Sequence, residues 1–324
     1  MLTIETDFTR AFKTKYPIMG APMFLVSSEE MVIATSQAGG LGTFPALNFR
    51  PIERFKEALR RVKADAKGPV GVNIIVQKQN KLQDQHLELC LKHEVDLIIT
   101  SLGSPKEIIA KTRGTKTKVY CDVVNLTHAK KCADHGADGL IAVGAGAGGH
   151  AGEISLFALI PYLRREIGLP IVAAGSIVDG KGLLAALALG ASAVYMGTRL
   201  IATKESPASD DYKNAIVNAG CEKIVNTDRV DGFPGNFILT KSLEKVGLEM
   251  GFFEAVMSLS PRFRRGLALT RAARSLFANE KSKVSYKTVF SAGHGVGLIH
   301  DVQSIRQVIE ETVQEYSRLK LTLP

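Results

Sequence analysis

Eight short apolar runs recur along the chain, separated by segments of more polar, helical character. The runs begin roughly 21 to 31 residues apart, which is the length of one βα unit. Their nearly continuous hydrophobicity is typical of parallel strands buried on both faces. The runs are PIMGAPM (17–23), GLGTF (40–44), VGVNIIV (70–76), DLIIT (96–100), KVYCD (118–122), GLIAVG (139–144), PIVAAGS (170–176) and AVYMGT (193–198). Eight successive βα units predict an α/β fold, the TIM (β/α)8 barrel.

The segments between the runs carry ordinary helix signals. SSEEMVIATSQA (27–38) opens with serine caps and acidic residues, which stabilise a helix N-terminus. GKGLLAALALGA (180–191) is rich in strong helix formers and closes on a glycine. These segments are therefore predicted to be the helices of the barrel.

The chain makes a long excursion after the eighth run. Helical patterns in 210–220, 241–259 and 261–278 lead to the glycine-rich SAGHGVGLIHD (291–301) and to a final amphipathic helix in 302–319. The pattern shows no strand repeats in the excursion and no linker that would separate it as an independent domain. We expect a barrel formed by 1–204 and 286–324, with 205–285 as a mainly helical cap packed on its mouth.

Composition is that of an ordinary globular protein. Of the 324 residues, 45% are hydrophobic and 23% are charged, so a large core can form.

The N-terminus lacks the apolar stretch of a signal peptide, and no later run approaches the roughly 18 apolar residues of a membrane span. Cys90, Cys121, Cys132 and Cys221 form no C-x-x-C pair, which argues against a disulfide framework and a zinc site. We expect a cytoplasmic protein with no bound metal.

The net charge of +9 raises the question of an anionic partner, which could be nucleic acid, an acidic carrier protein or a small anion. The basic residues are scattered, tryptophan is absent and aromatic residues make up only 6%, so the stacking platforms of a nucleic-acid binder are missing. Small anionic substrates fit better. Steep salt dependence of DNA retention would revive the nucleic-acid alternative.

Candidate site residues lie where the apolar runs end, because the active site of a TIM barrel is at the carboxyl ends of its strands. They are Ala21, Pro22 and Met23 after the first run, Asn73 in the third, Asp122 at the end of the fifth, Gly175 and Ser176 after the seventh, and Met196, Gly197 and Thr198 at the end of the eighth. Small residues and hydroxyls after the last two strands suit an anion, because backbone N–H groups can approach a phosphate there. The alternative is that these glycines only make tight turns.

A glycine-rich loop follows the sixth run and ends at His150. Gly144, Gly146 and Gly149 satisfy G-x-G-x-x-G, but a dinucleotide-binding turn follows the first strand and leads straight into a helix, whereas the next helix here starts near Ser155. The small residues leave room for a flat ring against the backbone, and an imidazole takes up a proton near neutral pH. His150 is therefore the candidate general base, with a surface loop histidine as the alternative.

The other histidines are weaker candidates. His86, His93, His128 and His135 fall in helical segments and are expected to be solvated, while His294, between two glycines, is a candidate loop contact. No H-x-H or H-E-x-x-H arrangement indicates a metal, and no G-x-S-x-G elbow indicates a serine hydrolase.

Several motifs together resemble the nitronate monooxygenase family, formerly called 2-nitropropane dioxygenases. They are PIMGAPMFLVSSEEMVIATSQAGGLGTFPA (17–46), GVN (71–73), AGGHAG (147–152), AAGSIVDGKGLLAALALGASAVYMGTRLIATKES (173–206) and SAGHGVGLI (291–299). The resemblance implies an FMN-dependent TIM barrel that oxidises alkyl nitronates with O₂ to a carbonyl compound and nitrite. The implied substrate is a small anionic nitro compound.

The resemblance also implies roles for individual residues. His150 would be the base for neutral nitroalkanes and a polarising contact for nitronates. The expected flavin contacts are Ala21, Pro22, Met23, Asn73, Asp122, Gly148, Gly149, Tyr195 and Met196, with the phosphate on Gly175, Ser176, Gly197 and Thr198. The chain departs from the family pattern at four positions: many members have glutamine at Val143, glutamate at Gly146, glycine at Ser176 and glutamine at His294.

Two further functions stay open at the level of sequence. The barrel, loop and phosphate corner also resemble the FMN-dependent enoyl-acyl-carrier-protein reductases, which would use NAD(P)H and an acidic carrier protein. The long excursion over 205–285 favours the nitronate-oxidising relatives. A flavin-binding protein without turnover, such as a sensor, is the third alternative. The oligomeric state is open, with a homodimer as one candidate.

Overall fold

The computed structural model describes residues 3–77, 79–230, 232–244 and 289–322. Its centre is a sheet of eight parallel strands in the order β1-β9-β8-β6-β5-β4-β3-β2, and a parallel bridge between Met19 and Leu41 closes it into a barrel. The strands are β1 Ile18–Gly20, β2 Gly42–Pro45, β3 Val70–Ile75, β4 Leu97–Ser101, β5 Lys118–Val123, β6 Gly139–Val143, β8 Ile171–Ala174 and β9 Ala193–Met196. Each lies in one of the eight predicted runs or overlaps it, which confirms the predicted TIM barrel.

The helices form an outer ring around the sheet. They are α2 Glu29–Gln37, α3 Ile52–Asp65, α4 Gln83–Lys92, α5 Lys106–Thr112, α6 Leu126–His135, α7 Leu156–Glu166, α8 Gly180–Ala188 and α12 Ile305–Thr322. Ser28 caps α2 through a side-chain hydrogen bond, as the sequence predicts, and Asp179 caps α8 in the same way. The last helix packs against α8 and α2 and so completes the ring. No helix in the described ranges is long and apolar enough to cross a membrane.

Two hydrophobic layers hold the barrel together. One lies between the strands and the outer helices, and the other fills the barrel interior. A short helix, α1 Asp7–Phe12, closes the amino-terminal end of the barrel. Its Phe8 and Phe12 are buried, and the Phe12 ring packs edge-on against Tyr120 at 5.5 Å. The opposite end, where the strand carboxyl ends meet, is thus the open end.

The excursion after β9 corrects the expectation of a cap without strands. Its described parts, 205–230 and 232–244, contain α10 Asp210–Asn218, as predicted, and also two strands, β10 Ile224–Thr227 and β11 Gly235–Ile238, which the hydrophobic pattern missed. They form an antiparallel sheet with β7 Gly149–His150, at the end of the glycine loop. The helical patterns predicted beyond 244 lie outside the described residues.

Candidate active site

The glycines after β6 are explained by close contact between backbones. A Cβ on Gly148 would lie 2.8 Å from the backbone of Ala292 and Gly293, and a Cβ on Gly293 would lie 2.3 Å from the carbonyl oxygen of Gly146. Both separations are shorter than side chains allow, so glycine is required on each side of this contact. The glycine loop (144–149) therefore packs directly on the return segment (291–295), and the two are one structural unit.

A buried asparagine from the excursion fixes the conformation of the glycine loop. Asn236 in β11 donates hydrogen bonds from Nδ2 to the carbonyl oxygens of Ala145 at 2.8 Å and Ala147 at 2.7 Å. Its Oδ1 accepts from the Nδ2 of Asn226 at 2.9 Å. The side chain is almost fully buried, and both its amide oxygen and its amide nitrogen are hydrogen-bonded, so it acts as a clamp on the loop. Sequence reasoning missed it because the surrounding segment was expected to be helical.

His150 lies at the exposed end of this clamped loop. Pairing of His150 with Gly235 holds its backbone in the small antiparallel sheet. Its ring meets the exposed ring of Phe233 edge to face, with the ring centroids 5.6 Å apart. The imidazole is thus carried on a fixed backbone beside an apolar wall and is reachable from solvent. This is the position that a base for an incoming substrate requires.

The loops after β8 and β9 lie where the sequence predicts an anion corner. Gly175 has a φ of +141° and Ser176 a φ of +53°. Successive N–H groups in turns with such left-handed residues can form a concave anion-binding surface. A short helix, α9 Thr198–Ile201, starts directly after Gly197. The phosphate sites of TIM barrels are commonly built in this way, from the loops after the seventh and eighth strands and a short additional helix.

The corner fits the phosphate of a flavin mononucleotide. The N–H groups of Gly175, Ser176 and Gly197 have no acceptor among the described residues, so they are available to an anion. A Cβ on Gly197 would make only ordinary contacts, at 3.5 Å or more, and the Ser176 side chain is exposed. Thr198 Oγ1 accepts a 3.0 Å hydrogen bond from the N–H of Gly293, which joins the corner to the return segment.

The end of β1 lies beside this corner. The N–H of Ala21 donates to the carbonyl oxygen of Met196 at 2.9 Å, and the Cβ of Ala21 and the Sδ of Met23 lie nearest to Gly197. Ser27 and Asn48 hold the turn: Ser27 Oγ donates to Ala21 at 3.0 Å, and Asn48 Nδ2 donates to Met23 at 3.0 Å. The predicted flavin-ring contacts of the first strand and the phosphate corner are therefore neighbours.

Polar side chains of three adjacent strands meet inside the barrel, just below the mouth. Asn73 Nδ2 donates to Ser101 Oγ at 2.7 Å, and Ser101 Oγ donates to Asp122 Oδ2 at 2.5 Å. Burial raises the pKa of Asp122 to about 6, and the hydrogen bond from Ser101 partly opposes that shift. Burial, together with the charge of Asp122, also raises the pKa of Tyr195.

The structure distributes the other predicted residues differently. Met196 is fully buried in the layer between strands and helices, so its side chain does not line the mouth. His294 is exposed, and its N–H donates to the carbonyl oxygen of Gly146 at 3.2 Å, so it does contact the loop. The expectation that His86 is solvated is wrong: it is fully buried on α4 against Phe55, because it shares the inward face with Leu87.

The barrel, the turns after β8 and β9 and the loop that ends in a histidine are the features expected of a flavin-dependent oxidoreductase. The chain belongs to the nitronate monooxygenase family, whose model matches residues 5–315. Membership of this family confirms the resemblance found in the sequence motifs.

Individual relatives have different names. The chain is 29% identical to the Mycobacterium tuberculosis (3aS,4S,5R,7aS)-5-hydroxy-7a-methyl-1-oxo-octahydro-1H-indene-4-carboxyl-CoA dehydrogenase, with 96% of each chain covered. It is 25% identical to a "Probable nitronate monooxygenase" of Staphylococcus aureus, over 85% of this chain and 96% of the relative. It is also similar to the structure of FabK from Thermotoga maritima, with a TM-score of 0.84 and 29% identity over 98% of each chain.

Proposed function

We propose that the protein binds FMN and oxidises alkyl nitronates with O₂ to a carbonyl compound and nitrite. The observation that carries the proposal is the close contact of the glycine loop with the return segment, which Thr198 joins to the candidate anion corner, while pairing with Gly235 holds the backbone of His150 at the end of the same loop. Membership of the nitronate monooxygenase family supports the same chemistry. The substrates are O₂ and small nitro compounds, either anionic nitronates or the neutral nitroalkanes from which nitronates form.

Different residues of the chain bind the cofactor and act on the substrate. When bound, FMN supplies the electron-transfer and O₂ chemistry. Gly175, Ser176, Gly197 and Thr198 hold its phosphate, while Ala21, Pro22, Met23, Asn73, Gly148 and Gly149 surround its ring. His150 removes the proton from the carbon that bears the nitro group of a neutral nitroalkane, and in its protonated form it attracts a nitronate. Phe233 gives the alkyl part of the substrate an apolar surface beside the imidazole.

A second candidate function is reduction or dehydrogenation of a thioester with a nicotinamide coenzyme, as in the FMN-dependent enoyl-acyl-carrier-protein reductases. The observation that favours it is the longer match to a relative named as a carboxyl-CoA dehydrogenase, 29% identical over 96% of this chain, compared with 25% over 85% for a relative named as a nitronate monooxygenase. The phosphate corner and His150 serve either reaction. The two functions therefore differ in which compound reduces the flavin.

An anaerobic reduction experiment separates the two functions. The purified protein is loaded with FMN, and its visible absorption spectrum is followed as an alkyl nitronate, NADH or NADPH is added in separate samples. The proposal expects bleaching by the nitronate and formation of nitrite once O₂ is admitted. Rapid bleaching by NADH or NADPH, with none by nitronate, would establish the second candidate instead. A protein that does not take up FMN would contradict both.

A further inference from the structure

A hydrogen-bonded chain of three side chains leads from the flavin pocket into the barrel. It starts at Asn73 on β3, passes through Ser101 on β4 and ends at Asp122 on β5, so it crosses three adjacent strands. Ser101 was not among the residues singled out from the sequence. The far oxygen of the chain, Asp122 Oδ1, is buried and has no hydrogen-bond partner among the described residues.

The direction of each hydrogen bond in this chain is determined by the groups at its ends. The carbonyl oxygen of Ile99, 3.3 Å from Asn73 Nδ2, can only accept, so the amide nitrogen must face it. An ionised Asp122 can also only accept, so Ser101 gives its one proton to the carboxylate and accepts from Asn73. Both bonds of the Asn73 side chain are then donated by Nδ2. Its Oδ1 accepts none from the described residues.

We propose that Asp122 is a positioning residue of the flavin site, acting through Ser101 to hold the Asn73 amide with its oxygen directed to the pocket. The inference rests on the proposed assignment of Asn73 to the flavin pocket. An amide oxygen is an acceptor, so a site arranged in this way selects a ring N–H of the cofactor. Asp122 need not touch the flavin to have this effect.

Protonation of Asp122 weakens the constraint, because the contact with the Ile99 carbonyl oxygen is then left to orient the Asn73 amide alone. A protonated carboxyl can itself donate to Ser101, whose hydroxyl then no longer has to accept from Asn73. The groups near Asp122 are the Ser101 hydroxyl, the Tyr195 phenol and the thiols of Cys121 and Cys132. Burial raises the pKa of Tyr195, and a hydrogen bond with Cys132 together with burial raises the pKa of Cys121, so neither group loses a proton near pH 6, where burial places the pKa of Asp122. The hydrogen bond with Cys121 lowers the pKa of Cys132, but this thiol packs in the layer between strands and helices and not in the barrel interior.

The test measures FMN affinity of the apoprotein between pH 5 and pH 7.5, by quenching of FMN fluorescence. It compares the native protein with Asp122→Asn, which keeps the shape but does not titrate, and with Ser101→Ala, which breaks the link and leaves Asp122 in place. Asp84→Asn is the matched control, because Asp84 is an exposed carboxylate on α4 that pairs with Lys111. The FMN phosphate titrates in this range too, but this contribution is common to all four proteins and cancels in the comparison.

We compare the FMN affinity of the native protein with that of Asp122→Asn and of Ser101→Ala at each pH. This affinity ratio is expected to fall about fivefold from pH 7.5 to pH 5, and Asp84→Asn should show the same fall as the native protein. About fivefold corresponds to the loss of one neutral hydrogen bond. The visible absorption band of bound flavin should shift with pH in the native protein and not in Asp122→Asn. Equal pH profiles in the native protein, Asp122→Asn and Ser101→Ala would overturn the proposal. Failure of the native protein to bind FMN at any pH would instead overturn the flavin assignment, and this inference with it.

Discussion

The hydroxyl of Ser176 donates a 3.2 Å hydrogen bond to the carbonyl oxygen of Gly146, and a Cβ on Gly146 would lie 2.3 Å from that hydroxyl oxygen. These are two of the positions where the chain departs from the family pattern, in which glutamate and glycine are common at 146 and 176. The two departures therefore occupy one space. Many relatives carry a side chain at position 146, on the loop after β6. In this chain the same space is filled by the side chain of Ser176, on the loop after β8.

Gly146→Ala is expected to weaken FMN binding, and Ser176→Gly is expected to relieve that effect. The new methyl group displaces the Ser176 hydroxyl and breaks its bond to the loop, at a cost of about 1 kcal/mol, or roughly fivefold in affinity. The double variant has room for the methyl group. A double-mutant cycle of FMN dissociation constants should show a coupling energy of about 1 kcal/mol.

Gly168→Ala is the control for that cycle, because a Cβ at Gly168 meets no atom within 4 Å. It should leave FMN affinity unchanged. Strictly additive effects of Gly146→Ala and Ser176→Gly would show that the two sites do not share space.

Asn236→Asp is expected to loosen the glycine loop. A carboxylate cannot donate, so both bonds to the carbonyl oxygens of Ala145 and Ala147 are lost and an anion is left facing them. The loss should lower the free energy of unfolding by about 2 kcal/mol or more and weaken FMN binding. Thermal denaturation and fluorescence titration measure the two effects.

Asn218→Asp makes the same chemical change at an exposed position on α10, where the amide only donates to Asn214. Its melting temperature should stay within about a degree or two of the native value, since surface changes cost little. If Asn236→Asp and Asn218→Asp destabilised the protein to the same extent, Asn236 would not be a clamp of the glycine loop.

The barrel could be predicted from sequence because its signal is local. Each strand is a compact apolar run buried on both faces, and each predicted strand end differs from the observed one by only a few residues. The same logic places Gly175 and Gly197 directly after two neighbouring strands, as the structure shows, and the anion corner built on them stays a prediction. The hairpin of β10 and β11 has no such signal, because it is stabilised largely by pairing with β7 and by Asn236.

The polar interior shows a second limit of sequence reasoning. A serine at a strand end such as Ser101 is common, and its partners Asn73 and Asp122 are 28 and 21 residues away. Only the closure of the barrel brings them together. His86 is different, because a helical pattern with Leu87 and Cys90 on one face could have placed it in the core.

Buried His86 is expected to make stability fall in mild acid. Burial, with a smaller effect of Arg50, lowers the pKa of His86 to about 4, and neither ring nitrogen has a partner among the described residues. The unfolded chain binds a proton near pH 6.5, which the folded chain refuses until about pH 4. The free energy of unfolding should therefore drop between pH 6.5 and pH 4, by about 3 kcal/mol in total from this residue.

His86→Leu should flatten that part of the pH profile, as measured by urea denaturation at pH 7 and pH 4.5. At pH 7 the variant should be as stable as the native protein or more so, since it removes two unpaired nitrogens from the core. His128→Leu, at an exposed position of α6, should keep the native pH dependence. A His86→Leu profile parallel to the native one would contradict the assignment.

His150→Gln is expected to separate proton removal from nitronate oxidation. Glutamine keeps the polar character and approximate reach of the side chain but cannot take up a proton, so turnover of a neutral nitroalkane should fall about 10²- to 10⁴-fold. A preformed nitronate needs no base, and its rate should fall less than about tenfold, by loss of the polarising contact alone. His300→Gln, at an exposed position after the return segment, should behave as the native protein with both substrates. FMN occupancy is read from the absorption spectrum of each protein, so that initial rates refer to loaded enzyme. Equal losses on the two substrates would mean that His150 is not the base, whatever its part in holding the loop.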